Sequence, residues 1–214
     1  MGRTSDARER LMKATLHLVW EESYGAVTID DICQRAGVKK GSFYYFFDSK
    51  ADLAVASLTR LWEESWKPHF DTVFSPSIDP LERITHYLET VYERQVEFRE
   101  RTGKVLGCPV CSVGSEISTQ DEKVGAKVRE ICGQKRRYFE TAIRDAIAQG
   151  SIEPCDAAEK TASLIALIEG IICQGRIMND PGIIKNLPAM VLDLLRVKAT
   201  ESPASSVLVL NSVL

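Results

Sequence analysis

Residues 28–50 read TIDDICQRAGVKKGSFYYFFDSK, and this stretch decides the fold. Thr28 is a suitable N-cap, because its hydroxyl can accept a free backbone N–H at a helix start. Asp30 and Asp31 follow in the first turn, where the helix dipole favours negative charge. Ile29, Ile32 and Cys33 fall at i, i+3 and i+4 and form one apolar face. Gly37, after Ala36, can take the left-handed conformation that ends a helix. A second short helix begins almost at once and carries Phe43, Tyr44, Tyr45 and Phe46, with Phe47 adjoining. Two short helices around so tight a turn predict a helix-turn-helix. In that motif the second helix lies in the DNA major groove with its N-terminal residues nearest the bases. Those residues here are Lys39, Lys40, Gly41 and Ser42. Gly41 costs helix propensity, a cost that makes sense where backbone must approach DNA closely. Tyr44 and Tyr45 are placed for phosphate or thymine-methyl contacts. Thr28 and Lys50, each at the start of a helix, complete the expected DNA-binding set.

The same residues resemble the TetR family of bacterial transcriptional regulators. The recognition helix of that family commonly reads S-K-G-T-L-Y-H-Y-F, followed by a small polar residue and lysine. This chain has Lys39-Lys40-Gly41-Ser42-Phe43-Tyr44-Tyr45-Phe46-Phe47, then Asp48-Ser49-Lys50. Glycine, hydroxyl, aromatic cluster and the terminal Ser-Lys fall in register, and the likeness extends over about residues 8 to 55. Lys39 departs from the usual small residue and Phe46 from the usual tyrosine. The resemblance implies a repressor that binds a palindromic operator as a dimer and is released by an effector held in a larger helical domain.

Charge neither supports nor excludes this by its total. The chain of 214 residues has a formal net charge of −3 and a pI of about 5.7, so a basic whole-chain signature of nucleic-acid binding is missing. Residues 1–50 hold eight Lys/Arg against seven Asp/Glu. The DNA reading therefore rests on placement, with Arg3, Arg8, Lys39, Lys40 and Lys50 as candidates for one face. The N-terminus lacks the apolar core of a secretory signal. No uninterrupted apolar run reaches the roughly 18 residues of a membrane span. Six cysteines in such a chain read as reduced cytosolic thiols. A cytoplasmic protein without a membrane association is the expectation.

Apolar periodicity predicts an all-α chain. A first helix over about residues 5–23 precedes the helix-turn-helix, and Ser49 caps a fourth that runs to about 74, with Pro68 ending or kinking it. Further helices are expected over about 81–101, 108–118, 121–149, 156–179 and 183–197. The expected organisation is a three-helix DNA-binding domain over 1–50, a larger helical effector-binding and dimerisation domain over 51–198, and a Ser-rich then apolar tail over 199–214. The helix over 156–179 is apolar nearly all round, from Leu164 through Ile172 to Met178, which marks a helix covered on all sides. One side faces its own core and the other a second subunit, with Gly170 and Gly175 permitting close approach. Leu187, Met190, Val191, Leu194 and Leu195 give the last helix a matching stripe. The family resemblance implies a four-helix dimer interface built from these two helices.

Two clusters are candidates for effector sensing. Cys108 and Cys111, in Gly107-Cys108-Pro109-Val110-Cys111, open a helix at a spacing that allows a reversible disulfide, and the helix N-terminus lowers a thiol pKa there. A Gly-Cys helix opening resembles one branch of TetR-like repressors, some of which sense electrophiles or oxidants through a thiol. The alternative reading takes both cysteines as small buried hydrophobes. Glu169, Cys173 and Arg176 share one strip of the later helix and either line an effector pocket or form a salt bridge. No second Cys-x-x-Cys or His pair completes a zinc site, so spacing predicts no metal, and no cofactor motif or catalytic constellation is present. Two functions stay open: an operator-binding regulator, or a helical small-molecule-binding or thiol-sensing protein without operator binding.

Overall fold

The structure is a computed structural model and describes residues 2–197, with side chains from Asp6 onward. The tail over 199–214 and the side chain of Arg3 lie outside the described residues. The described chain is helical, and its one β-type pairing is an isolated antiparallel bridge between Ile152 and Val197.

The N-terminal head holds α1 (Gly2–Glu21), α2 (Ile29–Ala36) and α3 (Lys40–Phe46). Leu11, Leu18, Ile32 and Phe43 interlock in its core, each at most 4% exposed. The predicted start of α2 is realised as a capping box. Thr28 Oγ1 accepts from Asp31 N at 3.2 Å, and Asp31 Oδ2 accepts from Thr28 N at 2.8 Å. Gly37 ends the helix at φ 63°, the left-handed region where a side chain is strained. Arg10 Nη1 donates to Ala36 O at 3.0 Å and so satisfies a terminal carbonyl of α2.

The fourth helix begins at Ser49, whose Oγ accepts from Asp52 N at 3.1 Å. It runs as α4 (Lys50–Leu61), passes through a π-helical turn (Trp62–Trp66) and continues as α5 (Lys67–Val73). Pro68 does not end it. The wider π turn accommodates a residue that lacks an N–H and crowds the carbonyl four residues back. The body is completed by α6 (Pro80–Thr102), α7 (Pro109–Ile117), α8 (Glu122–Ala148), α9 (Ala157–Met178), α10 (Gly182–Lys185) and α11 (Leu187–Leu195). The single last helix expected over 183–197 is interrupted at Asn186, because Pro188 suits only the first turn of a new helix. An aromatic cluster of Trp62, Phe70, Phe74, Tyr87, Tyr138 and Phe139 packs inside the body. Trp62 is buried in it and Trp66 is half-buried.

Within α9, Leu164, Ile168 and Ile172 face the core and Gly175 abuts Ile184. Ile172 and Gly175 therefore belong to this chain's own packing. The opposite face carries Ala162, Ala166, Gly170, Cys173 and Ile177, all exposed. By length and composition alone α9 could cross a membrane, but one face is built into the core and bears an ion-paired glutamate. Replacing Thr28 with Ala should lower the stability of the chain by about 1 kcal/mol, the usual worth of such a cap. Urea unfolding followed by circular dichroism reads it, and an unchanged midpoint would refute the cap's contribution.

Candidate functional site

In α3 the aromatic run divides by helical phase. Phe43 is fully buried, while Tyr44 and Tyr45 are 55% and 74% exposed. Phe47 follows on the buried side, with the Arg8 guanidinium over its ring at 5.3 Å. Two adjacent tyrosines left in solvent on a helix anchored by Phe43 need an external reason, since large apolar side chains on a monomer's surface usually mark contact sites. Lys39 and Gly41 are exposed beside them. A Cβ built on Gly41 meets nothing within 4 Å, so the fold itself does not require glycine there. Lys40 pairs with Asp30 at 2.9 Å, and that carboxylate raises its pKa. Ser42 is half-buried and Thr28 is engaged in its cap.

Lys50 is placed differently from the expectation. Its ammonium donates to Tyr24 O at 2.6 Å and Val27 O at 2.7 Å and lies 4.3 Å from the centre of the Tyr24 ring. Burial pulls its pKa below the usual lysine value. Lys50 thus closes the loop between α1 and α2 instead of standing free toward a phosphate. Nothing in the local sequence distinguishes the two roles, because both acceptors lie more than twenty residues upstream.

The second site is assembled around the start of α7. Gly107 adopts φ 73° and lies against Arg176, whose Cδ would stand 3.2 Å from an added Cβ. Gln95, buried on α6, accepts from Leu106 N at 3.1 Å and Gly107 N at 2.9 Å and donates to Gly107 O at 3.2 Å. Asn179 caps α9 in the left-handed conformation at φ 52° and accepts from Val105 N at 2.8 Å. These amides pin the segment that presents Cys108 as the N-cap of α7.

Cys108 lies on the wall between an aromatic cavity of about 50 Å³, lined in part by Trp66, His69, Tyr87 and Lys135, and an open cleft of about 650 Å³. The cleft also reaches Cys111, Glu169, Cys173 and Arg176, so all five residues singled out around α7 and α9 meet there. They do not form one strip of equivalent groups. Glu169 turns to the buried ammonium of Lys135 on α8, Cys173 is exposed, and Arg176 donates to Ser112 Oγ, to Glu22 O at 3.4 Å and to Trp20 O at 3.5 Å. Burial alone would raise the Glu169 pKa, but Lys135 and the adjacent thiols bring it below the usual value. Burial likewise opposes the charge of Lys135, yet Tyr87, Cys108 and Glu169 raise its pKa well above the ordinary lysine value. The two sulfurs lie within 4.8 Å of each other. Hydrogen bonding from Cys111 pulls the Cys108 thiol down, and the same contact pushes Cys111 up. Lys135 was missed in the sequence, where it is one lysine on a helix rich in them.

Head and body meet directly at this cleft. Glu116, near the end of α7, accepts from Tyr24 N at 2.8 Å and Gly25 N at 2.6 Å. Trp20 Nε1 donates to Leu106 O at 3.0 Å and to Gly107 O at 3.1 Å.

A capped α2, a tight turn and an α3 with exposed tyrosines define a helix-turn-helix DNA-binding regulator. Comparison with known proteins agrees. Residues 11–56 match the model of bacterial regulatory proteins of the tetR family, and residues 80–189 match the tetracyclin repressor-like C-terminal domain. The chain belongs to the TetR family. It is 24% identical over 192 residues to the HTH-type transcriptional regulator LmrA of Bacillus subtilis, covering 89% of this chain and 97% of that one. It is 26% identical over 178 residues to the HTH-type transcriptional repressor DhaR of Mycobacterium sp. strain GP1, covering 83% and 85%. The match spans 58% of a Lactococcus lactis regulator and 65% of AcuR from Cereibacter sphaeroides. In fold it is similar to a TetR-family regulator from Agrobacterium tumefaciens, with a TM-score of 0.80 at 19% identity over 92% of this chain and all of that one. The reduced form of NemR from E. coli superposes with a TM-score of 0.77 at 21% identity, over 91% of this chain and all of that one.

Gly41→Ala should stabilise the free protein by about 0.5–1 kcal/mol, since alanine is the better helix former, and should weaken binding to DNA. Thermal unfolding and fluorescence anisotropy with labelled operator measure the two effects. Stabilisation with unchanged affinity would show that no ligand backbone or base comes close to Gly41.

Proposed function

We propose that the protein is a repressor that binds a two-fold symmetric operator as a homodimer and is released by an effector entering the cleft beside Cys108. The head over 1–50 reads DNA, and the body over 51–198 dimerises and holds the effector. The observation that carries the effector reading is the double tie between cleft wall and head: Arg176 to the carbonyls of Trp20 and Glu22, and Glu116 to the amides of Tyr24 and Gly25. A ligand that displaces α7 or Arg176 alters both ties and so tilts α1. It acts only through different affinity for the DNA-bound and released arrangements. Lys39, Lys40, Tyr44 and Tyr45 supply the DNA contacts, with Lys40 exchanging Asp30 for a phosphate. Thr28 and Lys50 act through the capped turn they hold. A cytoplasmic location fits operator DNA as the partner.

The dimer reading is supported by the exposed row Ala162, Ala166, Gly170 and Ile177 on α9, together with exposed Met178 and, on α11, Met190. Small residues let two backbones approach closely, and an obligate interface of this kind typically covers about 2,000 Å² or more. Paired recognition helices then meet half-sites roughly 34–36 Å apart.

The test is anisotropy with DNA from upstream of the protein's own gene, repeated across salt. Lys40→Ala should reduce the log–log salt slope by about 0.9 for the phosphate it no longer neutralises; an unchanged slope removes Lys40 from the contact set. Gly170→Glu points a charge into open space in the single chain. It should leave the fold intact while abolishing the dimer in sedimentation and, with it, tight operator binding. A Gly170→Glu protein that stays dimeric refutes this interface. For the thiols, limiting maleimide at neutral pH should label Cys108 before Cys111 and release DNA. Release that is equally efficient in Cys108→Ser and Cys111→Ser would reduce both thiols to packing residues.

A further inference from the structure

The thiol pair has a third neighbour that sequence spacing does not reveal. Cys108 Sγ, Cys111 Sγ and a carboxylate oxygen of Glu169 all lie within 4.8 Å of one another. Around a tetrahedral ion with metal–sulfur bonds of about 2.3 Å and a metal–oxygen bond of about 2.0–2.2 Å, such atoms stand roughly 3.5–3.8 Å apart. A closure of at most about an ångström, within the reach of side-chain rotation, would bring them to that spacing. Glu169 is already divided for the purpose. Its Oε1 receives the Lys135 ammonium, while its Oε2 is buried with only the Cys108 and Cys111 thiols beside it and no hydrogen-bond partner at good geometry among the described residues. An acceptor oxygen in that state is costly unless something with positive character fills the space beside it.

We propose that Cys108, Cys111 and Glu169 form a binding site for a thiophilic divalent cation of the zinc and cadmium type. Soft thiolates select such ions over magnesium or calcium. On binding, each thiol loses its proton to solvent, so two protons leave per ion and no electrons are transferred. Two thiolates and the carboxylate bring three negative charges; the ion brings two positive charges and Lys135 one. The occupied cluster is neutral, as a half-buried site requires. Lys135 stays outside the ligand sphere, holding the carboxylate in place from the far oxygen. The fourth position faces the open cleft of about 650 Å³, which is also the entry path. The regulatory meaning of this site rests on reading the cleft as the effector site; the binding itself does not.

The experiment uses the full chain, reduced, treated with chelator and free of DNA. Titration with Cd²⁺ is followed by the ultraviolet thiolate-to-cadmium charge-transfer band, and proton release is followed with a pH indicator. The expected result is one ion per chain, two protons released and sub-micromolar affinity. Cys108→Ser and Cys111→Ser should each lose roughly 100-fold or more in affinity, beyond what an outer partner contributes. Cys155→Ser, at an exposed loop position, should bind like the parent. Glu169→Gln should weaken binding while leaving the band; if the orphaned Lys135 unfolds that variant, Glu169→Gln/Lys135→Met restores a neutral core and reads the same loss. Absence of the band, or binding that survives both Cys108→Ser and Cys111→Ser, overturns the proposal. A bound ion that leaves operator affinity unchanged upholds the site and removes only its role as effector.

Discussion

Lys135 on α8 and Glu169 on α9 form a charged pair inside a largely apolar helical body. Taking two charges out of water costs several kcal/mol per ion, and the attraction between them returns this only when geometry and hydrogen bonding are good. Such a pair is a poor device for stability and a strong one for position. Removing either partner would leave a lone buried charge, worth about 3–5 kcal/mol of destabilisation. The pair therefore constrains the register of α8 against α9. It also sets a carboxylate beside Cys108 and Cys111.

The start of α7 depends on a similar economy of polar groups. Gly107, Cys108 and their neighbours run through the interior as irregular backbone, where unpaired amides are expensive. Gln95, Asn179 and Trp20 satisfy them from three different helices. Trp20 belongs to the head, so the same bonds that keep the loop satisfied also couple it to α1. Arg176 and Glu116 extend that coupling on either side. A change at the thiols would therefore meet a segment tied by hydrogen bonds to α1, α6 and the end of α9, which is the coupling that the proposed effector response relies on.

Recognition of DNA places a different demand on the head. Its core must hold α3 firmly while leaving one face of that helix without intramolecular partners. Phe43 and Phe47 anchor it, Tyr44 and Tyr45 stand out, and Gly41 leaves room above the backbone. Lys50, which the sequence placed among the phosphate contacts, serves the anchoring side by binding the carbonyls of the preceding loop. Lysines at helix starts are ambiguous in this way, because a four-carbon stem reaches inward as easily as outward.

The features legible in the sequence are those set by residues within one or two turns of each other. The caps at Thr28 and Ser49, the left-handed end at Gly37, the helical periods and the division of the family's aromatic signature all follow from i to i+4 relations, which any single segment contains. Pro68 and Pro188 were harder, since a proline reads as a break, a kink or a first turn depending on what surrounds it. Tertiary structure alone decided that Lys135 meets Glu169, that Lys50 turns inward, that Ile172 and Gly175 face their own core, and that a carboxylate from α9 joins two thiols on α7. Those contacts join residues from 9 to 65 positions apart in the chain. They arise from how whole helices pack, and no local pattern of hydrophobic and polar residues encodes them.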